Sequence, residues 1–287
     1  MPELPEVEIV KRSLNQKISK SRILNIKIHN KRLRYKLTNS FIQDLVGEKI
    51  IKISRKSKYL IFYFSKKILL VHFGMTGKFL IKKSSNKKIF KTSFYYDLNI
   101  IPKHNHIYFQ LSNGLVLIYN DIRRFGFLKT YNSKKLRNIA FLKKLGLEPF
   151  DKNFNENYFS NYIVGKKKNI KNLLMDQTFV SGLGNIYVNE ALFLSKVKPT
   201  RECASLKKHE IRELIKNIKK ILKIAISKGG SSIKNFQGTS GESGKFQQFF
   251  YVYGLKNKKC SRLWCKGEIK KIFICNRSSF YCSKCQK

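Results

Sequence analysis

The first residues of the chain combine a proline with a carboxylate, in the opening stretch MPELPEVE. If Met1 is removed, Pro2 becomes a free secondary amine, and its pKa of about 8 leaves a nucleophilic fraction at neutral pH. Such an amine attacks an electrophilic carbon to form an iminium, and Glu3 can shuttle the proton that this step needs. The pair is therefore a candidate for Schiff-base chemistry. The alternative is a proline that only stiffens the start of the chain.

Four cysteines near the end of the chain have the spacing of a zinc site. Cys260 and Cys265 form a C-x4-C pair, and Cys282 and Cys285 form a C-x2-C pair after a further 16 residues. Four thiolates in two pairs suit a tetrahedral Zn²⁺ ion that folds a small β-hairpin finger. The sequence therefore predicts one structural zinc ion per chain.

Two other residues of this segment have open roles. Cys275 is left over, either as a spare buried thiol or as a substitute zinc ligand. Arg277 lies between the cysteine pairs on a predicted rigid loop, where it can bind a phosphate or remain solvated. Five of the six cysteines lie beyond residue 259, which argues against a disulfide framework spread through a secreted fold.

The charge of the chain points to a polyanionic partner. It has 60 Lys and Arg residues, 17 Asp and Glu residues and a formal net charge of +43, which favours nucleic acid or an acidic membrane surface. Lys, Asn and Ile are abundant throughout, as a strongly AT-biased genome would produce, so arginines carry more information than lysines. Because the chain has no apolar run long enough to span a bilayer and no signal peptide, we predict a soluble intracellular protein.

The first half of the chain has the pattern of one helix followed by strands. After Pro5, apolar residues recur at helical spacing at Val7, Val10 and Leu14. Glu6 and Glu8 lie in the predicted first turn, where the helix dipole favours anions. From about residue 23 to 130 the pattern is that of strands, and Asn113-Gly114 separates two apolar runs as in a hairpin. We therefore predict an N-terminal antiparallel β-sandwich preceded by a helix.

The second half of the chain has the pattern of helices. Turn residues and charges at 142–154 suit a linker. The segment 209–230 predicts a core helix with a solvated basic face. Its apolar residues are Ile211, Leu214, Ile215, Ile218, Ile221 and Leu222. A glycine-bearing turn before Asn185 separates two further helices, and backbone N–H groups at such a helix start can hold a phosphate. The predicted fold class is α+β with several domains.

Six motifs extend from one end of the chain to the other. They are MPELPEVE, SKYL, HFGMTG, DIRRFGF, LMDQTFVSGLGNIYVNEALF and RSSFYCSKCQK. In their order and approximate spacing the chain resembles the bacterial formamidopyrimidine-DNA glycosylases from residue 2 to 287. The resemblance implies a catalytic β-sandwich domain at 1–135, a linker at 136–154, a helical helix-two-turn-helix DNA-binding domain at 155–250 and a zinc finger at 251–287. It also implies a monomeric, cytoplasmic, nucleoid-associated bacterial enzyme that acts on damaged double-stranded DNA.

The family performs base excision repair on oxidised purines such as 8-oxoguanine and formamidopyrimidines, and the resemblance implies a role for each catalytic position. Pro2 would attack C1′ of the damaged nucleotide and form an iminium with the opened sugar, with Glu3 as the acid and base. Lys58 would assist the β-elimination and hold the phosphate beside the lesion. Arg277 would contact a DNA phosphate and assist the δ-elimination. The product would be a one-nucleotide gap with phosphates at both ends.

The resemblance also implies residues that extrude the damaged base, because a base inside a duplex cannot be reached by an active site. Met75 and Phe125 would wedge into the base stack. Arg123 would hydrogen-bond the orphaned cytosine, since a planar arginine fork reads base edges in a way that an ammonium group does not. Phosphate contacts would come from His104, Arg124, Lys166 and Asn185.

The chain departs from the family pattern in its first cysteine pair. This pair is spaced x4 instead of the usual x2, with Leu263 and Trp264 inserted, which bears on zinc occupancy and on the geometry of the finger. The loop at 235–249 lies where the family has a mobile segment over the extruded base.

Three alternatives stay open. The endonuclease VIII branch uses the same terminal proline on oxidised pyrimidines, although Leu4 and the set Met75, Arg123 and Phe125 favour the purine branch. A non-enzymatic zinc-finger DNA-binding protein would suit the charge and the four cysteines, but it would have no use for a free Pro2. A ribosome-associated basic protein would not need the large aromatic β-rich half.

Overall fold

The structure, a computed structural model, describes residues 2–83, 89–91, 101–231 and 246–287, and it describes only the backbone of 89–91, Phe246 and Gln247. The chain divides into two compact units. Unit 1 comprises Met1–Lys143 and Gly229–Lys245, and unit 2 comprises Lys144–Lys228 and Phe246–Lys287. Met1 and most of the loop predicted at 235–249 lie outside the described residues. No helix in the described part of the chain is long and apolar enough to cross a membrane.

Unit 1 begins with a helix and continues with strands. Its described elements are α1 (Leu4–Ile18), β1 (Ile23–Ile28), β2 (Lys52–Lys56), β3 (Tyr59–Tyr63), β4 (Lys67–His72), β5 (Lys78–Lys83), β6 (Ile89–Lys91), β7 (Asn105–Leu111), β8 (Leu115–Asn120), β9 (Phe127–Asn132) and α2 (Ala140–Lys143). Unit 2 is helical and ends in a hairpin. Its described elements are α3 (Glu156–Ile163), α4 (Ile170–Met175), α5 (Asn185–Leu194), α6 (Lys208–Ser227), β10 (Ile269–Ile274) and β11 (Arg277–Cys282).

The first helix forms as its periodicity predicts, with Val7, Val10 and Leu14 fully buried. It begins at Leu4, two residues earlier than expected, because Pro5 fits the first turn of a helix, where its missing N–H has no intrahelical partner. The placement of Glu8 in the first turn was therefore wrong. Glu8 lies in the second turn and pairs with cations, as described below.

Two antiparallel sheets form the predicted β-sandwich. Among the described residues, one sheet has the order β1-β7-β8-β5-β6 and the other has the order β2-β3-β4-β9. Alternate side chains of β4 face opposite sides, as the two-residue period of a strand requires. Leu69 and Val71 join the core that contains α1 and both sheets, whereas Ile68 and Leu70 pack with Phe127 in a cluster on the other face.

The hairpin predicted at Asn113-Gly114 is confirmed. Strands β7 and β8 pair antiparallel across it, and Gly114 has a φ of +74°. Glycine takes this backbone conformation more readily than residues with a side chain do, which explains why the turn is placed there.

The predicted helices of unit 2 are also confirmed. The six apolar residues of α6 are all buried, and the turn before Asn185 separates α4 from α5. Glu190 on α5 is fully buried and accepts hydrogen bonds from the backbone N–H groups of Tyr251, Val252 and Tyr253 at 2.8, 3.1 and 2.8 Å. The carboxylate therefore fixes the segment that leads into the cysteine-rich hairpin.

Candidate active site and DNA interface

The proline and carboxylate of the amino terminus lie at the start of α1. Pro2 is buried, and Glu3, which is 3% exposed, occupies the N-cap position. The carboxylate of Glu6 accepts a 2.9 Å hydrogen bond from the Glu3 N–H and bonds of 2.9 and 3.1 Å from the N–H and hydroxyl of Ser231. Glu6 therefore holds the first residues in a fixed position against the chain at Ser231.

Lys58 lies in the two-residue turn between β2 and β3 and is buried. Ser57, the other turn residue, has a φ of +54°. Arg55 donates a 2.9 Å hydrogen bond to the Ser57 carbonyl and a 3.1 Å bond to the Glu8 carboxylate. Arg55 thus ties the turn that carries Lys58 to helix α1, which carries Pro2 and Glu3 at its start.

The Glu8 carboxylate is ionised by its surroundings. Burial alone would raise its pKa, but hydrogen bonds from Lys11, Arg12 and Arg55 outweigh burial and lower the pKa below its usual value. The negative charge persists at neutral pH, so the contact with Arg55 is an ion pair. The sequence pattern could not reveal this role, because Arg55 is distant in sequence.

His72 is a neutral histidine beside the proposed catalytic lysine. Burial, together with the charges of Lys58 and Arg34, lowers its pKa to about 4. Its ring stacks on Phe127, and its Nδ1 atom accepts a 3.1 Å hydrogen bond from the Gly74 N–H. Only a histidine that is unprotonated at Nδ1 can accept this bond. His72 therefore orients the turn that follows β4, a role that the sequence analysis missed.

Met75 and Phe125 lie on two adjacent loops. Their side chains are 40% and 45% exposed, so neither is a core residue. Gly74 has a φ of +57°, and a Cβ atom there would overlap the backbone of Phe125 and Gly126. The absence of a side chain at Gly74 is what allows the two loops to touch. The guanidinium of Arg123 lies 4.5 Å from the centre of the Phe125 ring.

Asp121 joins these two loops and was not singled out by the sequence analysis. It is fully buried, and its Oδ1 atom accepts a hydrogen bond from the Thr76 hydroxyl. Its Oδ2 atom accepts bonds of 2.8 Å from the Gly126 N–H and 3.3 Å from the Tyr119 hydroxyl. The N–H of Arg123 in turn donates a 3.0 Å bond to Thr76. One carboxylate thus fixes the segments that carry Met75, Arg123 and Phe125.

His104 and Arg124 belong to the same region of unit 1. His104 ends the short 3₁₀ helix Pro102–His104, and its carbonyl accepts a 3.1 Å hydrogen bond from the Asp121 N–H. Burial and the charge of Lys103 lower the pKa of His104. Arg124 is exposed and has a φ of +56°, a conformation that is uncommon outside glycine. Of the predicted sites, the structure brings His104, Met75 and the Arg123 to Phe125 segment together.

In unit 2, the start of α5 lies against the start of β11. The side-chain amide of Asn185 donates a 3.0 Å hydrogen bond to the Ser278 carbonyl, and so does the ammonium group of Lys171. Lys171 is buried and also bonds the Ser279 hydroxyl at 2.6 Å. Because Ser278 follows Arg277 directly, these contacts fix the backbone beside Arg277. Lys171 was missed because its chemistry depends on residues about a hundred positions away.

The surroundings of Arg277 differ from the prediction in one respect. Arg277 is exposed, but it is the first residue of β11 and not part of a loop. The tight turn before it consists of Cys275 and Asn276, which have positive φ values of 47° and 57°.

Cys275 is exposed, so its interpretation as a buried thiol was wrong, and it lies outside the cysteine cluster. Lys166, also in unit 2, lies over the Tyr162 ring at 3.4 Å.

The four predicted zinc ligands do come together. Their Sγ atoms all lie within 4.8 Å of one another, with 3.8 Å between Cys260 and Cys285 and 3.5 Å between Cys265 and Cys282. Four sulfurs around a zinc ion at about 2.3 Å are about 3.8 Å apart, so the donor set fits this metal. Burial alone would raise the pKa of Cys282, but backbone N–H groups of Cys285 and Lys284 help to lower it, whereas burial and the neighbouring thiol of Cys282 raise the pKa of Cys285. The x4 spacing is therefore compatible with the site.

Comparisons with known proteins agree with this arrangement. The chain matches the formamidopyrimidine-DNA glycosylase N-terminal domain over residues 1–128 and the formamidopyrimidine-DNA glycosylase H2TH domain over 145–237. A formamidopyrimidine-DNA glycosylase of Bartonella tribocorum is 39% identical over 298 residues, with 100% of both chains covered.

Two solved structures of Lactococcus lactis Fpg are also similar. A complex with DNA that contains an abasic site has a TM-score of 0.86 at 35% identity, with 99% of each chain covered. A complex of a mutant with DNA that contains Fapy-dG has a TM-score of 0.85 at 34% identity, with 100% of each chain covered.

The fold, the site and these full-length similarities place the chain among the base-excision-repair DNA glycosylases that also have AP lyase activity. Within that class, the chain belongs to the formamidopyrimidine-DNA glycosylase family. The resemblance found in the sequence motifs is thereby confirmed.

Proposed function

We propose that this enzyme excises oxidised purines, including 8-oxoguanine and formamidopyrimidines, from double-stranded DNA through an iminium at Pro2. The observation that carries the proposal is the burial of Pro2 and Glu3 at the start of α1. The positive end of the helix and the low-dielectric surroundings both favour a neutral amine over an ammonium group. A neutral terminal amine is nucleophilic at physiological pH. The Lactococcus lactis complexes with abasic-site and Fapy-dG DNA support the substrate class.

In the proposed reaction, the Pro2 nitrogen attacks C1′, the bond from C1′ to the base breaks, and the base leaves with a proton. Glu3 protonates the ring oxygen as the sugar opens, which leaves an iminium between Pro2 and C1′. Loss of a proton from C2′, assisted by Lys58, expels the 3′ phosphate. Loss of a proton from C4′, assisted by Arg277, expels the 5′ phosphate. Water then hydrolyses the iminium and frees the enzyme.

Base extrusion is assigned to the two loops that Asp121 joins. An exposed Met75 beside an exposed Phe125 suits a wedge between bases, because apolar side chains fill the space that a flipped nucleotide leaves. Arg123 stacks on Phe125 and is proposed to pair with the orphaned cytosine. Phosphate contacts are proposed for His104, Arg124, Lys166 and Asn185.

The four cysteines are proposed to hold one zinc ion with a structural role. Bound there, the metal would cross-link the segment before β10 to the end of β11 and so stabilise the hairpin that carries Arg277. No step of the reaction passes through it. We also propose that the enzyme acts as a monomer in the cytoplasm, in association with the nucleoid.

Borohydride trapping tests the nucleophile. Reduction should link the enzyme to a duplex with 8-oxoguanine opposite cytosine, and mass spectrometry should locate the sugar on Pro2. Pro2→Gly or a retained Met1 should largely abolish the adduct. A conjugate found on Lys58 or another lysine would disprove the assignment. Comparing excision of 8-oxoguanine with that of thymine glycol decides between this proposal and the endonuclease VIII alternative.

A further inference from the structure

The short segment between the first two cysteines presents large apolar side chains to solvent. We call residues 261–264 the knuckle tip. Leu263 is fully exposed and Trp264 is 64% exposed. These are the two residues by which the Cys260 to Cys265 pair exceeds the x2 spacing. Covering such side chains would remove apolar area from water, which is the main driving force for association between proteins.

The knuckle tip is attached firmly to the body of unit 2. Arg262 donates hydrogen bonds of 2.6 and 3.2 Å to the carbonyls of Phe193 and Leu194, at the end of α5. It also donates a 3.0 Å bond to the Cys285 sulfur. A surface that is held in place loses little conformational entropy when a partner binds. The exposed pair is therefore suited to binding and is not a frayed loop.

The knuckle tip lies at the far end of the finger from Arg277 and Asn185, two of the proposed DNA contacts of unit 2. Cys265 is next to Cys282, at the end of β11, whereas Arg277 begins the same strand. A strand of this length separates its ends by about 17 Å. Helix α5 leads to the same conclusion, because Asn185 at its start contacts Ser278 and its last turn contacts Arg262. This geometry does not favour DNA as the partner that covers the knuckle tip.

The charge around the knuckle tip indicates what kind of partner would bind there. Residues 256–266 contain Lys256, Lys258, Lys259, Arg262 and Lys266 and no acidic residue. The ammonium group of Lys196 lies 5.0 Å from the centre of the Trp264 ring. A second copy of the chain would be repelled, because each copy has a net charge of +43. An acidic segment would pair with the cations while its apolar side chains cover Leu263 and Trp264.

We propose that the knuckle tip docks an acidic, apolar segment of a partner protein and so recruits this repair enzyme through a surface separate from Arg277 and Asn185. Trp264 is the only tryptophan of the chain, so fluorescence excited selectively at tryptophan, beyond the absorption of the tyrosines, reports on this surface alone. The full-length protein is titrated with a short synthetic peptide that alternates Asp or Glu with Leu or Phe. Trp264 emission should shift to shorter wavelength and saturate.

Matched probes and variants separate the possible outcomes. Leu263→Ser keeps the fluorophore and should weaken peptide binding at least about tenfold, since a buried leucine contributes that much. Leu24→Ser, at an exposed leucine of β1, should leave binding unchanged. A peptide with serine in place of Leu and Phe should bind the unaltered protein as weakly as the original peptide binds Leu263→Ser. Excision of 8-oxoguanine should be unaffected by Leu263→Ser.

Three results would overturn the proposal. The first is an emission that does not respond to the acidic peptide. The second is an equal response to undamaged duplex DNA, lost with Leu263→Ser, which would make the knuckle tip a DNA contact. The third is a concentration-dependent dimer in sedimentation that Leu263→Ser abolishes, which would make it a self-association surface. None of these results bears on the nucleophile, which borohydride trapping tests separately.

Discussion

The backbone N–H of Gly126 donates a 2.8 Å hydrogen bond to the carboxylate of Asp121. This contact closes the loop that carries Arg123 and Phe125, and the other carboxylate oxygen of Asp121 holds the loop of Met75 through the Thr76 hydroxyl. Both loops therefore depend on one buried side chain. If they fill the space left by an extruded base, their mutual position should determine how well the nucleotide is held outside the duplex.

Replacing Asp121 should lower both the stability of the protein and its rate of base excision. Asp121→Asn loses one acceptor oxygen and should lower the free energy of unfolding by about 1–3 kcal/mol. Because both loops loosen, excision of 8-oxoguanine should slow by about tenfold or more. The measurements are urea denaturation and single-turnover excision.

A second hydrogen-bonded carboxylate, which is partly buried, provides the matched control. Asp44 accepts hydrogen bonds from Lys67, Thr130 and Ser40 at 2.6, 2.6 and 3.1 Å, away from both loops. Asp44→Asn should cost a similar amount of stability and leave single-turnover excision intact. Equal excision rates in the two variants would show that Asp121 has no positioning role.

The neutral state of His72 should make the stability of the protein depend on pH. Its pKa in the folded state is about 4, below the value of 6.5 for an unperturbed histidine. Between these two pH values the unfolded chain therefore binds a proton at this histidine that the folded chain does not bind. The free energy of unfolding should fall as pH decreases from 6.5 to about 4, by up to about 1.4 kcal/mol per pH unit. Above pH 6.5 this contribution is constant.

A non-titrating substitute isolates the effect. In His72→Asn, the side-chain oxygen can replace Nδ1 as the acceptor for the Gly74 N–H, but it has no proton to gain. Chemical denaturation between pH 5 and 7.5 should show a shallower pH dependence for His72→Asn than for the unaltered protein. If stability depends on pH in the same way in both proteins, His72 protonates equally in the folded and the unfolded state.

Loss of a zinc ligand should destabilise the finger, and only the cysteines of the cluster should have this effect when they are replaced. Cys285→Ser should lower the zinc content, expected at about one per chain, and weaken DNA binding because the hairpin that carries Arg277 loses its cross-link. Cys275→Ser is the control, since Cys275 is exposed and outside the cluster. Zinc is measured by atomic emission and binding by fluorescence anisotropy. A metal-free protein with full activity would disprove the zinc assignment.

Much of the fold could be predicted because its signals are local. Helix α1 and helix α6 are specified by apolar residues at helical spacing, and the hairpin between β7 and β8 is specified by a glycine at a positive φ. The turn before Arg277 has no such glycine. Cys275 and Asn276 adopt positive φ values there, so the sequence indicated a loop where a strand begins.

The missed positioning residues share a different cause. Asp121 acts through Thr76 and Lys171 acts through Ser278, and in each case the partner is far away along the chain. No periodicity contains that information, because it arises only when the strands and helices pack. Asp121 did have a weak local signal, since it precedes an Arg-Arg pair in a chain with few acidic residues.

Lys171 should affect strand cleavage but not the nucleophile. Its ammonium group bonds the Ser278 carbonyl at 3.0 Å and the Ser279 hydroxyl at 2.6 Å, directly after Arg277. Lys171→Met keeps the length of the side chain and removes these donors, so the start of β11 should loosen. If Arg277 assists δ-elimination, the variant should accumulate the β-elimination product, with a several-fold change in the product ratio on a denaturing gel.

The control for this variant is Lys168→Met, which removes a partly exposed lysine that pairs with Asp176. Its product ratio should match that of the unaltered enzyme. Borohydride trapping at Pro2 should persist in both variants, because the iminium forms before either elimination. Loss of trapping in Lys171→Met would indicate that the lysine supports the fold in general. An unchanged product ratio with normal trapping would show that the backbone beside Arg277 does not need this contact, since Asn185 also bonds the Ser278 carbonyl.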